Sequence, residues 1–248
     1  MKYTARDHAY VYGVIAQELL TACPGEEEKT LKECIQVYGL QRGSRMGQTC
    51  DAFGDERSMQ TYLAYGEWSP APGEMDIDIP EESPSAVWNV KKCPWSQEWA
   101  EQGMTEVGKY YCKYVDRELV YGFRSDLELG TGTTQTNGDP YCYFKWNGAD
   151  LTPEHKAENA RIGEKVGAVR LKTWAYHMGH IYKTMGEVIE KRLGAETRKA
   201  VFEKSDIRLA AHFGQEMVSL MHAGLVLDYW VTPSLKETGL LAEMFRED

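Results

Sequence analysis

The tightest constraint on this chain lies just past its middle, in TNGDPYCYFKWNG at residues 136–148. Asn137-Gly138-Asp139-Pro140 is turn chemistry, because glycine tolerates a positive φ and proline cannot continue a helix. The large side chains that follow alternate and predict a strand. Cys142, Phe144 and Trp146 should face one way, and Tyr141, Tyr143 and Lys145 the other. DLELGTGTTQ, just upstream, reads as its partner strand, joined through the Asn137-Gly138 turn. Val87, Trp88 and Val90 in AVWNV indicate one more strand.

Helical patterns flank this block. Val11, Val14, Ile15, Leu19 and Ala22 have helical spacing, CPGEEEK breaks that helix, and Glu26 to Glu28 suit the positive end of the next. Leu31, Cys34, Ile35 and Tyr38 continue its apolar face, which places Cys34 in the core; YGLQRGSRMGQ follows with Arg42 and Arg45. Residues 69–85, rich in proline and acid, read as a surface excursion with one short edge strand at MDIDI. WSQEWAEQGMTEVGKYYCKYVD reads as one helix in spite of Gly103 and Gly108. Thr152-Pro153 is a good helix start, and a single long helix is expected from there to Leu193, ended by Gly194, with helix again over 207–230. The expected fold class is α+β. One domain over 1–248 would hold a small antiparallel sheet in a central strand-helix-strand unit (87–148), clasped by helical hairpins from 10–66 and 152–248.

Composition narrows the function. With 42% hydrophobic and 27% charged residues the chain is of ordinary globular type. A formal charge of −10 argues against a nucleic acid or an anionic membrane as main partner. No apolar run approaches the roughly 18 residues of a membrane helix, and MKYTARDHAYVYG lacks the apolar core of a secretory signal. A cytoplasmic protein that self-associates is expected. The six cysteines form no CxxC pair, so reduced thiols are expected rather than a disulfide framework or a zinc ribbon.

Three thiols and a carboxylate fall in the central block: Cys93 before Pro94, Cys112 four residues ahead of Asp116, and Cys142 after the turn. A thiolate can attack an electrophilic carbon while a carboxylate handles protons. Small buried hydrophobes would use the same residues for packing alone. Spacings of 18 and 29 intervening residues are not zinc-finger spacings, so no metal is expected. His177 and His180, three apart on a helix, lack a HExxH-type partner; His8 and His222 are isolated. Arg42 and Arg45 suit either a substrate carboxylate or a solvated helix end. GTGTTQTNG is not followed by a helix and is no phosphate loop.

KKCPW, EVGKYYCKYVD and LELGTGTTQTNGDPYCYFKW together resemble the core of the L-2-amino-thiazoline-4-carboxylic acid hydrolase family. The matching positions are Cys112 with Asp116, Thr134, Gly138 with Asp139, and Cys142 with Phe144; Arg42, Gly43 and Arg45 resemble the family's arginine-glycine segment. The likeness is densest over 87–146, with support from 10–48. It implies hydrolysis of a small cyclic C–N or C=N bond, such as opening of an aminothiazoline to a carbamoyl-cysteine, without a cofactor. Cys142 is then expected as nucleophile, Asp116 as base and Cys112 as a second thiol. Thr134, Arg42, Arg45, Tyr143 and Cys93 are expected to contact the substrate. Tyr143 departs from the family, which usually has an acid there. The alternative is a non-catalytic small-ligand module, resembling vinyl-reductase-type domains.

Overall fold

The computed structural model describes residues 3–233. Helix α1 (Ala5–Ala22) and helix α2 (Lys32–Ala52) are separated by a π-helical turn at Glu27–Leu31, where the acidic run begins the second helix. A short helix α3 (Met59–Tyr62) leads into the proline-rich excursion, which carries strand β1 (Asp76–Glu81) and returns as β2 (Ala86–Lys92). Helices α4 (Pro94–Glu101) and α5 (Thr105–Phe123) follow, then β3 (Leu129–Thr131) and β4 (Cys142–Trp146). The C-terminal part is helical: α6 (Pro153–Val166), α7 (Trp174–Leu193), α8 (Ala195–Phe213) and α9 (Gln215–Ala223). The fold is α+β. Among the described residues no helix is long and apolar enough to cross a membrane.

The sheet is antiparallel throughout, in the order β1-β2-β4-β3. Val90 pairs with Cys142, Trp88 with Phe144 and Ala86 with Trp146. That register puts the three inward side chains of β4 beside three residues of β2, and it fixes which face Cys142 presents. The β3–β4 connection contains a one-turn 3-10 helix at Gln135–Asn137, then Gly138 at φ 91°. Asp139 locks it by accepting the Thr134 backbone N–H at 2.9 Å.

Two of the expected helices are each broken in two. The helix expected over 95–116 stops at Gly103, whose φ of +66° is outside the helical range; Gly108 lies within α5, where the Trp99 ring occupies the space of a side chain, 2.4 Å from where a Cβ would sit. The helix expected over 152–193 ends at Val166, Gly167 takes φ +54°, and α7 restarts at Trp174 behind the Thr173 N-cap. Between them the Lys172 N–H donates to the Glu67 carbonyl at 2.8 Å. Apolar periodicity runs on through this break, so the sequence pattern misses a turn that a tertiary hydrogen bond dictates.

Helices α2 and α5 cross with their backbones in contact. A Cβ on Gly43 would lie 2.1 Å from the Leu119 carbonyl oxygen, and one on Gly122 would lie 2.5 Å from the Leu40 carbonyl oxygen. Glycine is required on both helices for that approach. The main core joins α1, α2, α5, α7, α8 and α9, and a smaller apolar cluster (Met59, Ala86, Val120, Leu129, Trp146) ties α5 to the sheet.

Candidate active site

A cavity of about 500 Å³ opens between the inner face of the sheet, α5 and the segment leading out of α3. From α5 it is lined by Cys112, Val115, Asp116 and Leu119, the i, i+3, i+4, i+7 stripe that one helical face presents. The sheet contributes Cys142, Phe144 and Trp146 from β4 and Trp88 and Val90 from β2. Cys93 and Thr134 line it from the ends of β2 and of the β3–β4 connection, and Arg42 reaches it from α2. Six of the eight residues expected at the site, scattered over a hundred positions, therefore face one space: Arg42, Cys93, Cys112, Asp116, Thr134 and Cys142.

Arg45 and Tyr143 do not line it. The Arg45 side chain is buried under the cavity. Its Nε and Nη2 each donate to Glu67 at 2.8 Å, and Nη1 donates to the Tyr229 carbonyl. It is wholly spent on structure. Tyr143 lies on the opposite face of β4, where its ring covers Gly132. Its substitution for the family's usual acid leaves the cavity wall unchanged.

The electrostatics single out Asp116. Among the described residues no hydrogen bond reaches its carboxyl. Burial pushes its pKa from 3.8 to about 6, against the opposing pull of Arg42. Burial also pushes Cys93 up to about 12 and holds Cys112 well above the ordinary thiol range, a shift reinforced by the neighbouring cysteines. Cys142 is raised by burial as well, though the Gln135 backbone N–H, 3.4 Å from its Sγ, favours the thiolate. At neutral pH the site thus holds one ionisable carboxylate and three protonated thiols.

Among the described residues Arg42 commits only its Nε, to Glu67 at 3.3 Å. Glu67 carries a low pKa, because Arg45 and Arg42 outweigh the burial that would raise it. Sequence reasoning missed Glu67, since nothing in YGEW marks it as the counter-ion of residues 22 and 25 positions away. It also missed Arg170, which lines the cavity from the broken α6–α7 segment. Arg170 donates through Nη1 to the Gly66 carbonyl at 2.7 Å; among the described residues its Nε is buried without a partner, and burial lowers its pKa. Arg42 and Arg170 make this wall cationic in a chain of net charge −10. His177 and His180 are both fully buried; His180 Nε2 bonds Gln41 at 2.7 Å. Among the described residues no three His, Cys, Asp or Glu side chains converge as a metal site.

An α+β chain whose helix-borne acid and strand-borne thiol share an aromatic-walled, cation-flanked cavity has the build of a small-molecule pocket. The sequence model of the L-2-amino-thiazoline-4-carboxylic acid hydrolase family matches residues 4–146, and the chain belongs to that family. The match spans every cavity wall except Arg170. No curated protein and no solved structure matches the chain.

Proposed function

We propose that the protein hydrolyses a cyclic amidine-type bond in a small anionic heterocycle, with Asp116 as its acid–base group and Cys142 as nucleophile. The single observation that carries this reading is the half-buried Asp116 carboxyl in the cavity wall, which takes no hydrogen bond among the described residues and whose pKa is pushed up to about 6 by desolvation. A carboxyl poised near neutrality takes a proton at one step and returns it at the next. Arg42, whose two Nη groups take no hydrogen bond among the described residues, suits a substrate carboxylate, with Arg170 as a second guanidinium on the wall.

The chemistry is the net addition of one water. The amidine enters protonated; Cys142 Sγ bonds to its C=N carbon as the thiol proton passes to Asp116, and the C=N pair moves onto the nitrogen, which already carries its proton. The tetrahedral carbon then expels the ring heteroatom, which takes the proton from Asp116. Water adds to that carbon as Asp116 takes one of its protons; the Cys142 sulfur then leaves as the C=O bond forms and takes the other, and Asp116 releases its proton to solvent, which restores the free enzyme. The Gln135 N–H near Sγ supports the thiolate in the first step.

A second reading routes the attack through water directly, with Asp116 as base and the thiols as walls. The raised pKa values of all three thiols favour it. Screening thiazolines, cyclic amidines and imides by mass spectrometry tests both. Ring opening that is lost in Asp116→Asn supports the acid–base role. Loss in Cys142→Ser, with a trapped adduct on Cys142, supports the thiol route; near-normal turnover of Cys142→Ser leaves water. No turnover of any compound would overturn the hydrolase reading in favour of a binding module.

A further inference from the structure

The cavity is longer than the reaction needs. Its lining on α5 runs from Cys112 to Leu119, about 10 Å at 1.5 Å per residue. Its lining on β4 runs from Cys142 to Trp146, roughly 13 Å at about 3.4 Å per residue. The two elements run alongside one another, since Cys112 and Cys142 lie near each other at one end of the cavity while Val120 and Trp146 belong to one apolar cluster at the other. All the thiols lie at the first end and Asp116 lies one turn in, so the last stretch of the cavity holds none of the proposed reacting groups.

That last stretch is aromatic. Trp88 and Trp146 meet edge to face with ring centroids 5.0 Å apart, Phe144 stacks beside Trp146 at 6.0 Å, and Tyr62 closes the other side at 5.7 Å. All four line the cavity, and Trp88 and Phe144 are only half-buried although they lie inside the fold. Aromatic faces left uncovered along a cleft suit a flat apolar ring. Volume points the same way. A five-membered heterocycle with one carboxyl fills on the order of 150 Å³, the space of about five waters at ~30 Å³ each. The cavity offers about 500 Å³.

We infer that the tryptophan end of the cavity is a subsite for a planar apolar substituent, so that the substrate is an aryl-bearing cyclic amidine acid rather than the bare ring. This rests on the reading of the cavity as the substrate site. With the heterocycle between Asp116 and Cys142 and its carboxylate toward Arg42, the aryl group extends past Leu119 between Trp88, Phe144 and Trp146.

Equilibrium binding of two probes, 2-aminothiazoline-4-carboxylate and 2-anilinothiazoline-4-carboxylate, tests it by calorimetry, with ring opening of each followed separately by mass spectrometry. The anilino compound is expected to bind at least tenfold tighter. Leu119→Trp, which fills the subsite, and Trp88→Leu, which removes one wall, should each collapse the ratio of the two affinities toward one; circular dichroism checks that both variants fold. An anilino compound that binds no tighter than the amino compound, or not at all, overturns the subsite. So does a ratio that survives both variants. Opening of the amino compound in those cases would leave the hydrolase reading standing, whereas tight anilino binding without any ring opening would overturn that reading and keep the subsite.

Discussion

Arg42 and Arg45 lie three residues apart on α2 and share one buried carboxylate, Glu67, yet only Arg42 reaches the cavity. Arg45 takes both Glu67 oxygens and so fixes the carboxylate; Glu67 in turn holds the Arg42 Nε and leaves its Nη groups toward the site. Two arginines that look equivalent in RGSR are thus a buried strut and a cation on the cavity wall.

Removing the shared carboxylate should expose what it stabilises. Glu67→Gln leaves two buried guanidinium groups without a counter-charge, a loss of about 3–5 kcal/mol when one partner of a buried pair is deleted. Thermal unfolding at pH 7 should show a much lower midpoint. The carboxyl's folded pKa lies below its ordinary 4.5, so its stabilisation is complete above that value and disappears as pH falls through the folded pKa. The gap between wild type and variant should therefore close in acid; a gap that is constant from pH 7 to pH 3 would contradict the ion-pair account.

Asp116 carries the opposite sign. Its pKa rises on folding from 3.8 to about 6, so the stability it contributes is full below 3.8 and is lost as pH climbs to about 6. Asp116→Asn does not titrate. At pH 7.5 it should be more stable than wild type by about 3 kcal/mol, because each tenfold change in acidity is worth about 1.36 kcal/mol. Near pH 3 it should have no advantage. Turnover should run the other way. Wild-type kcat/KM is expected to rise through an acid limb near pH 6 as the carboxylate forms, and Asp116→Asn should lose both the limb and most of the rate. A pH–rate profile and paired melting curves read the two effects independently.

How much of this was legible in the sequence depends on whether the determining contact was local. The turn at Gly138 and the alternation in CYFKW give β4 and the face of Cys142, because both are written in neighbouring residues. Cys112 and Asp116 share a helical stripe for the same reason. The burial of Arg42 and Arg45 was not legible, because charged residues in a glycine-rich helix suit solvent until a distant carboxylate is brought in. The break at Gly167 was hidden as well. Ile162, Val166 and Trp174 keep an apolar pattern through it, while the Lys172–Glu67 backbone contact that enforces it joins segments about a hundred residues apart. The position of Arg170 could not be seen without that break.

Arg170 offers a test in which stability and binding separate. Among the described residues no acid offsets the burial that lowers its pKa, so its charge is held without ionic compensation. Arg170→Gln keeps a donor for the Gly66 carbonyl and removes the charge. The thermal midpoint should hold or rise. Binding of carboxylate-bearing thiazolines should weaken by about 10- to 100-fold, the worth of roughly 1.5–3 kcal/mol for a charge-assisted hydrogen bond, while neutral analogues should be little affected. Equal losses for acid and neutral ligands would remove Arg170 from the anion site.

The contact between α2 and α5 sets the distance from Arg42 to Asp116, and Gly43 sets the contact. A Cβ there would press on the Leu119 carbonyl oxygen at 2.1 Å and the Phe123 nitrogen at 2.6 Å, both backbone atoms that no rotamer change can move. Gly43→Ala must push the helices apart, at a cost of about 1–3 kcal/mol or more, as overpacking does. The same alanine at Gly163 in α6 meets nothing within 4 Å and should stabilise by about 0.5–1 kcal/mol through helix propensity alone. The separation also has a chemical consequence. Arg42 is the group that holds the Asp116 pKa down against burial. As the helices part that pull weakens, so the acid limb of kcat/KM in Gly43→Ala should move above pH 6. If the variant loses stability and the limb stays in place, the helix crossing matters for packing alone and does not tune Asp116.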